Sequence, residues 1–337
     1  MVKVEGKGGI SATIVADSVS PSGKRITTYE LEYPRFIHSE FMTHRLFSRN
    51  AASSRAIPVP KMIEHIKINT AMPIHWGANQ RGMQAEAECV EPISLEALQE
   101  FDEPSDSGLF QLINDEVDRA EAWRRAMGDA VYTAEAFHEA GYHKQIVNRL
   151  LEPFQFIKVV CTATEYDNFF WLRNHKDAQP EIKELARCMW EAREQSSPNG
   201  LWVDEWHLPY VEFYKDSDES YYFIYNSDPD GQQYEQRLSE EDAIKVSASC
   251  CAQVSYRLTD NSVDKALKIY DMLVNSKPVH ASPFEHQARP MDDETDLDTE
   301  GVTGYNNRLG YYSGNFFGWI QHRQLIDENA CWDYEPE

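Results

Sequence analysis

The chain has 337 residues, 42% of them hydrophobic, with 56 acids against 32 bases and a formal net charge of −24. Length and apolar content support a sizeable globular core, in two domains or one large one with insertions. The negative charge repels polyanions and argues against nonspecific nucleic-acid binding, but a small anion in a locally basic pocket stays open. The six cysteines contain no Cys-x-x-Cys pair, so neither a zinc framework nor a disulfide framework is expected, and no metal site. No signal-like apolar core or membrane-length run stands out, which makes a reducing cytoplasm the expected compartment, with no membrane partner.

In chain order, residues 10–37 alternate like a hairpin: "SATIVADSV" and "RITTYELEY" flank a turn with Pro21 and Gly23. The basic stretch Thr43–Arg55 (THRLFSRNAASSR) follows, expected to leave a strand and enter a helix or loop closed by Pro58 and Pro60. Residues 66–108 read as irregular, with an acidic patch from Glu96 to Asp106. A helix is expected over 109–140, with Leu109, Leu112, Ile113, Val117, Ala120, Trp123 and Ala126 on its core face. The segment 144–175 reads as helix, a break at Pro153, a buried apolar run, then "DNFFWLR". The next helix has Asp177 as its expected N-cap and Pro180 in its first turn. Residues 198–238 read as an aromatic hairpin extension ending in the Asp228-Pro229-Asp230-Gly231 turn. Ser239 opens a capped helix, a further helix follows Asn261, residues 291–301 read as an acidic loop, and "YYSGNFFGWIQHRQL" as a closing strand.

Chemistry concentrates in three places. Thr43–Arg55 holds Arg45, Arg49 and Arg55 beside Ser48, Ser53 and Ser54, without one acid. A guanidinium is a fixed fork of donors suited to phosphate or to a carboxylate or imide edge, so the stretch is either an anion site or a set of surface ion pairs. His280–His286 (HASPFEH) does not have the helical spacing of a zinc motif, and Pro283 breaks helix geometry. It reads better as a turn presenting His280, Ser282 and Glu285 to a polar ligand. Arg149 and Arg173 lie among apolar neighbours; if buried, each needs a structural carboxylate or an anionic ligand.

Together these pieces resemble the flavin-dependent thymidylate synthases. That family's Arg-His-Arg, seven residues, Ser signature is similar to Thr43-His44-Arg45 followed by Ser53. Its H-x-(S/T)-P-F-E-H turn is similar to His280–His286, and its A-R-V-S element to Ala252-Gln253-Val254-Ser255. Its R-x-x-L-P, N-F-L-x-L-R and A-Q-x-E-I elements are similar to Arg149–Pro153, Asn168–Arg173 and Ala178–Ile182. The order differs: the two elements at 252–286 normally precede the basic signature, so the chain reads as circularly permuted. Thr43 replaces the signature's first Arg and Ala51 an acid; Arg49 or Arg323 could compensate.

The resemblance implies an α+β fold, a mixed or antiparallel sheet packed with helices, spanning 1–337 as a single permuted domain with the 198–238 extension. It implies methylation of dUMP at C5, with methylenetetrahydrofolate and NADPH as co-substrates and FAD as cofactor. By transfer, His44, Ser48, Asn50, Asn168, Ser255, His280, Ser282 and Glu285 contact flavin. Arg45, Ser53, Ser54, Arg55, Arg149 and Arg173 hold the nucleotide, with Arg45, Ser53 and Arg173 catalytic. A homotetramer sharing its active sites between subunits is also implied. The Thr43 and Ala51 departures motivate two alternatives: modification of another pyrimidine deoxynucleotide, or a non-catalytic nucleotide-binding homologue.

Overall fold

The computed structural model describes residues 1–82, 85, 87–100, 110–228, 230–256, 260–291 and 315–330. β1 (Val2–Glu5), β2 (Ser11–Val19) and β3 (Arg25–Pro34) form an antiparallel meander. Gly23, at φ +79°, takes the left-handed position in the β2–β3 turn that a side chain would strain. Then come α1 (His38–Met42), β4 (Ser48–Ala51) and α2 (Val59–Ile68). β5 (Ile93–Glu100) and β6 (Phe110–Val117) pair as a separate hairpin that leads into α3 (Arg119–Glu139). α4 (Lys144–Val147) and a 3-10 stretch, Asn148–Phe154, lead to β7 (Phe156–Ala163), α5 (Asp167–Arg173), α6 (Pro180–Gln195) and β8 (Asn199–Gly200). β9 (Glu212–Lys215), β10 (Ser220–Ser227) and β11 (Gln233–Leu238) make a three-stranded antiparallel sheet. α7 (Glu240–Gln253), α8 (Val263–Val274), β12 (Ala288–Pro290) and β13 (Trp319–Gln321) complete the described elements.

The main sheet runs β1-β2-β3-β7-β4, with β8 added parallel to the end of β2. Its two faces follow from strand alternation. Tyr29, Leu31, Tyr33, Val159 and Cys161 point one way and pack on Leu185 and Met189 of α6. Tyr29 satisfies its buried hydroxyl by donating to the Met189 carbonyl at 3.0 Å. On the other face Val160 meets Cys251 and Val254 at the end of α7. β7 is therefore covered on both sides, which accounts for its nearly unbroken apolar run. Among the described residues, no helix is long and apolar enough to cross a membrane.

The 10–37 hairpin and the Ser239 cap stand as expected: Ser239 Oγ accepts the Asp242 N–H at 3.1 Å. Ser239→Ala is expected to cost about 1 kcal/mol, read as a lower urea midpoint at unchanged slope. Several expectations are corrected. The helix expected from 109 starts at Arg119, because the Asp118 carboxylate accepts the Ala120 and Glu121 N–H groups at 2.8 and 2.9 Å. Leu112, Ile113 and Val117 belong instead to β6, paired with Ile93–Glu100 in the region read as irregular. Leu109 and most of the acidic patch lie outside the described residues.

The cap of α6 is Gln179, whose side chain accepts the Ile182 N–H at 3.0 Å; Asp177 lies exposed two residues earlier. Pro60 does not close the basic stretch but sits in the first turn of α2. The Asp228–Gly231 turn lies between β10 and β11, so the extension gains a third strand instead of ending there; Pro229 is outside the described residues. The closing strand shortens to Trp319–Gln321 and passes into a 3-10 turn, with 311–314, like 292–301, outside the described residues.

Candidate functional site

The basic stretch is itself partly an edge strand. Ser48–Ala51 pairs with β7 from Ser48↔Thr162 to Ala51↔Val159, a correction to the expected helix or loop. Alternation turns Ser48 and Asn50 toward α7 and Arg49 toward the opposite face, beside Cys161. This placement lets distant segments converge on β4. Asn50 Nδ2 donates to the Cys251 carbonyl at 3.1 Å, and Ser53 N–H to the Ser255 carbonyl at 3.2 Å. Ser255 Oγ reaches back to the Ala51 carbonyl at 3.4 Å. The Ala252–Ser255 element, some two hundred residues downstream, thus lies against the basic stretch.

The Pro-Phe-Glu turn docks on the same strand. Gln321 Nε2 donates to Ser48 Oγ at 3.0 Å and to the Glu285 carbonyl at 2.9 Å. Asn315 Nδ2 also donates to Ser48 Oγ, at 2.8 Å. The Glu285 carboxylate pairs with Arg323, which commits that arginine to the turn. Phe284 is fully buried and fixes the turn from below.

A third group forms where α5 approaches Thr43–Arg45. Arg173 Nε donates to His44 Nε2 at 3.1 Å, and one terminal nitrogen lies 3.4 Å from Thr43 Oγ1. An arginine cannot accept, so the His44 proton resides on Nδ1. Burial first, then Arg173 and Arg49, lowers His44 to about 4. The ring is neutral at physiological pH, wedged edge-on against Phe169 with centroids 4.8 Å apart. On the other side, Asn148 Nδ2 donates to the Ser54 carbonyl at 2.7 Å and ties the Asn148–Phe154 segment to the basic stretch.

Arg149, read as potentially buried, has 65% of its side chain exposed, with Glu152 at 3.9 Å; the 3-10 geometry turns it outward. Arg173 is only partly buried, and its partners are His44 and Thr43, not a carboxylate. Among the described residues, no side-chain hydrogen bond or ion pair joins Arg45, Asn168, His280 or Ser282 to the other predicted residues. Nor does any carboxylate lie within 4.0 Å of the Arg45, Arg49, Arg55 or Arg173 guanidinium. Four arginines around one edge strand thus have no carboxylate partner among the described residues, in a chain of net charge −24. Two of the buried thiols offer little competing chemistry: burial pushes Cys161 and Cys250 up to about 12, away from a nucleophilic thiolate.

The sequence reading did not single out Thr28, Thr162, His207 or Gln321. Gln321 lies two residues before Arg323, which was considered; the others carried no local signal.

The family model described as thymidylate synthase complementing protein matches residues 18–199, more than half of the chain. The chain belongs to that family. The match takes in the basic stretch, the Asn148–Phe154 segment and α5, while the family-like elements at 252–286 lie beyond it. Among solved structures the Thy1 chain is similar to a UMP/dUMP methylase, PolB from Streptomyces cacaoi, in a crystal structure bound with 5-Br dUMP. That likeness has 15% identity and a TM-score of 0.34, over 57% of this chain and 93% of the other. No curated protein matches.

Proposed function

We propose that this Thy1 protein methylates C5 of dUMP, using methylenetetrahydrofolate as carbon source and FAD reduced by NADPH. The observation that carries the reading is the set of four arginines with no carboxylate partner among the described residues, gathered on and beside β4 in a chain of net charge −24. Arg45, Arg55 and Arg149 supply forks for the nucleotide phosphate, with Ser53 and Ser54 completing its shell. Arg173, held by neutral His44, stabilises negative charge on a pyrimidine carbonyl as C5 becomes nucleophilic.

The residues present suit a flavin in their donor chemistry. Asn50, Ser48 and Ser255 bring amide and hydroxyl groups to one strand, and the Ser282–Glu285 turn is docked beside them. His44, Asn168 and His280 complete the proposed flavin-binding set. Bound FAD would supply the hydride; the protein supplies orientation and electrostatics. The contacts of Ser255 and Gln321 with β4 also favour a single permuted domain, in which elements late in the chain return to the position the family motif requires. Because Arg45, Arg149, Asn168 and His280 lie exposed, a homotetramer in which a neighbouring subunit meets them is the assembly we propose.

The absorption spectrum of the purified protein, before and after dUMP, tests this. A flavin spectrum and NADPH oxidation that requires dUMP are expected; no flavin uptake after FAD addition would refute it. Thr43 and Ala51 favour a second reading, the same chemistry on another pyrimidine deoxynucleotide, which product mass spectrometry over a nucleotide panel separates.

A further inference from the structure

Four hydrogen bonds run end to end through the interior. Ser18 Oγ meets His207 Nδ1 at 2.9 Å, and His207 Nε2 meets Thr28 Oγ1 at 2.8 Å. Thr28 Oγ1 meets Thr162 Oγ1 at 2.7 Å, and Thr162 Oγ1 meets His286 Nδ1 at 2.9 Å. None of the five residues is more than 4% exposed. Register explains the row: Thr28 lies opposite Thr162 across β3–β7, and Thr162 opposite Ser48 across β7–β4. The backbones of His207 and Ala288 exchange hydrogen bonds at 2.8 and 3.2 Å, bringing both imidazoles over the same row.

Both rings are neutral, since full burial lowers each to about 3. Each hydroxyl carries one proton and each neutral ring one, so five protons serve four bonds and four proton orders complete the row. In the first, Ser18 donates into the chain and both imidazoles carry their proton on Nε2. In the other three His286 carries its proton on Nδ1, and the proton of Ser18, Thr28 or Thr162 is left with no acceptor among the described residues. His286 Nε2 is unpartnered in every order. The first order leaves one buried group unmet and each of the others leaves two, which favours the first.

We propose that His286 is a positioning residue, locked as its Nε2–H tautomer by a proton order imposed from Ser18 through Thr28, and that it anchors the Ser282–Glu285 turn to β7. Thr28 touches neither His286 nor the turn in the hydrogen-bond pattern, so its influence on that ring passes through Thr162. The consequence for cofactor binding rests on the flavin reading above; the tautomer does not.

Histidine ring ¹⁵N spectra of the full chain decide it. Wild-type His286 is expected as a single Nε2–H tautomer. Ser18→Ala removes the end bias and is expected to populate both tautomers, because the two end-to-end orders then leave two groups unmet each. Thr28→Val, which removes the hydroxyl at nearly constant volume, leaves Thr162 only His286 to donate to, so added to Ser18→Ala it is expected to restore the single Nε2–H form, whereas Thr28→Ser added to it is expected to leave the mixture. With half the rings in the wrong form, FAD affinity falls roughly twofold in Ser18→Ala. If wild-type protein takes up no FAD while the tautomer pattern holds, the flavin reading fails and the positioning role stands. A wild-type His286 in the Nδ1–H form, or an unchanged single tautomer in folded Ser18→Ala, overturns the proposal.

Discussion

Arg173→Ala is expected to lower kcat/KM for dUMP methylation by about 10²–10³, the range found when one preorganised donor to a developing oxyanion is removed. The side chain is partly buried, and its hydrogen-bond partners among the described residues are His44 Nε2 at 3.1 Å and Thr43 Oγ1 at 3.4 Å. Its loss should therefore change unfolding stability by no more than about 1 kcal/mol. Large kinetic damage with little structural damage is the signature of a charge placed for a ligand. Arg173→Lys should recover only part of the activity, because an ammonium cannot hold His44 and a carbonyl edge with one planar fork. Steady-state rates beside urea unfolding of the same samples check the split. An unchanged kcat/KM would remove Arg173 from the site.

Acid should unfold this protein earlier than its carboxylates would. His207 and His286 are fully buried and lowered to about 3 by desolvation, and the proximity of His207 adds to the shift at His286. In the unfolded chain each titrates near its ordinary 6.5. Between those values the unfolded state binds more protons, so stability is complete above about pH 6.5 and falls as pH drops toward 3. The slope rises toward about 1.4 kcal/mol per pH unit for each ring, so the pair lowers stability by about 3 kcal/mol between pH 6.5 and 5. Buried His322, lowered to about 4, adds in the same direction. Urea midpoints at pH 7.5, 6 and 5 measure the slope. His286→Gln, which keeps a polar side chain that does not titrate, should remove close to half of the pair's contribution. A flat profile between pH 6.5 and 5 would mean that these rings are hydrated in solution.

Local patterns carried much of the fold. The β2–β3 hairpin, the apolar run of β7, Pro180 in the first turn of α6 and the Ser239 cap were legible because each depends on neighbours a few residues away. Local reading failed where a partner strand decided the outcome. Residues 110–117 suited a helical stripe until Ile93–Glu100 paired with them, and the polar sequence of Ser48–Ala51 concealed a strand that exists because β7 offers an open edge.

The same division holds at the candidate site. Arg45, Arg49, Arg55 and their serines could be recognised from the sequence, since clustered charge without counter-charge is a one-dimensional property. The residue types alone therefore determined that this chain carries a basic, acid-free segment and a Pro-Phe-Glu turn. Only the tertiary structure decided that the two meet across Ser48 and Gln321, that Arg149 faces outward, and that two histidines share a buried row of hydroxyls. Those outcomes depend on strand register and on water being excluded from the sheet, and neither exists until segments hundreds of residues apart have packed.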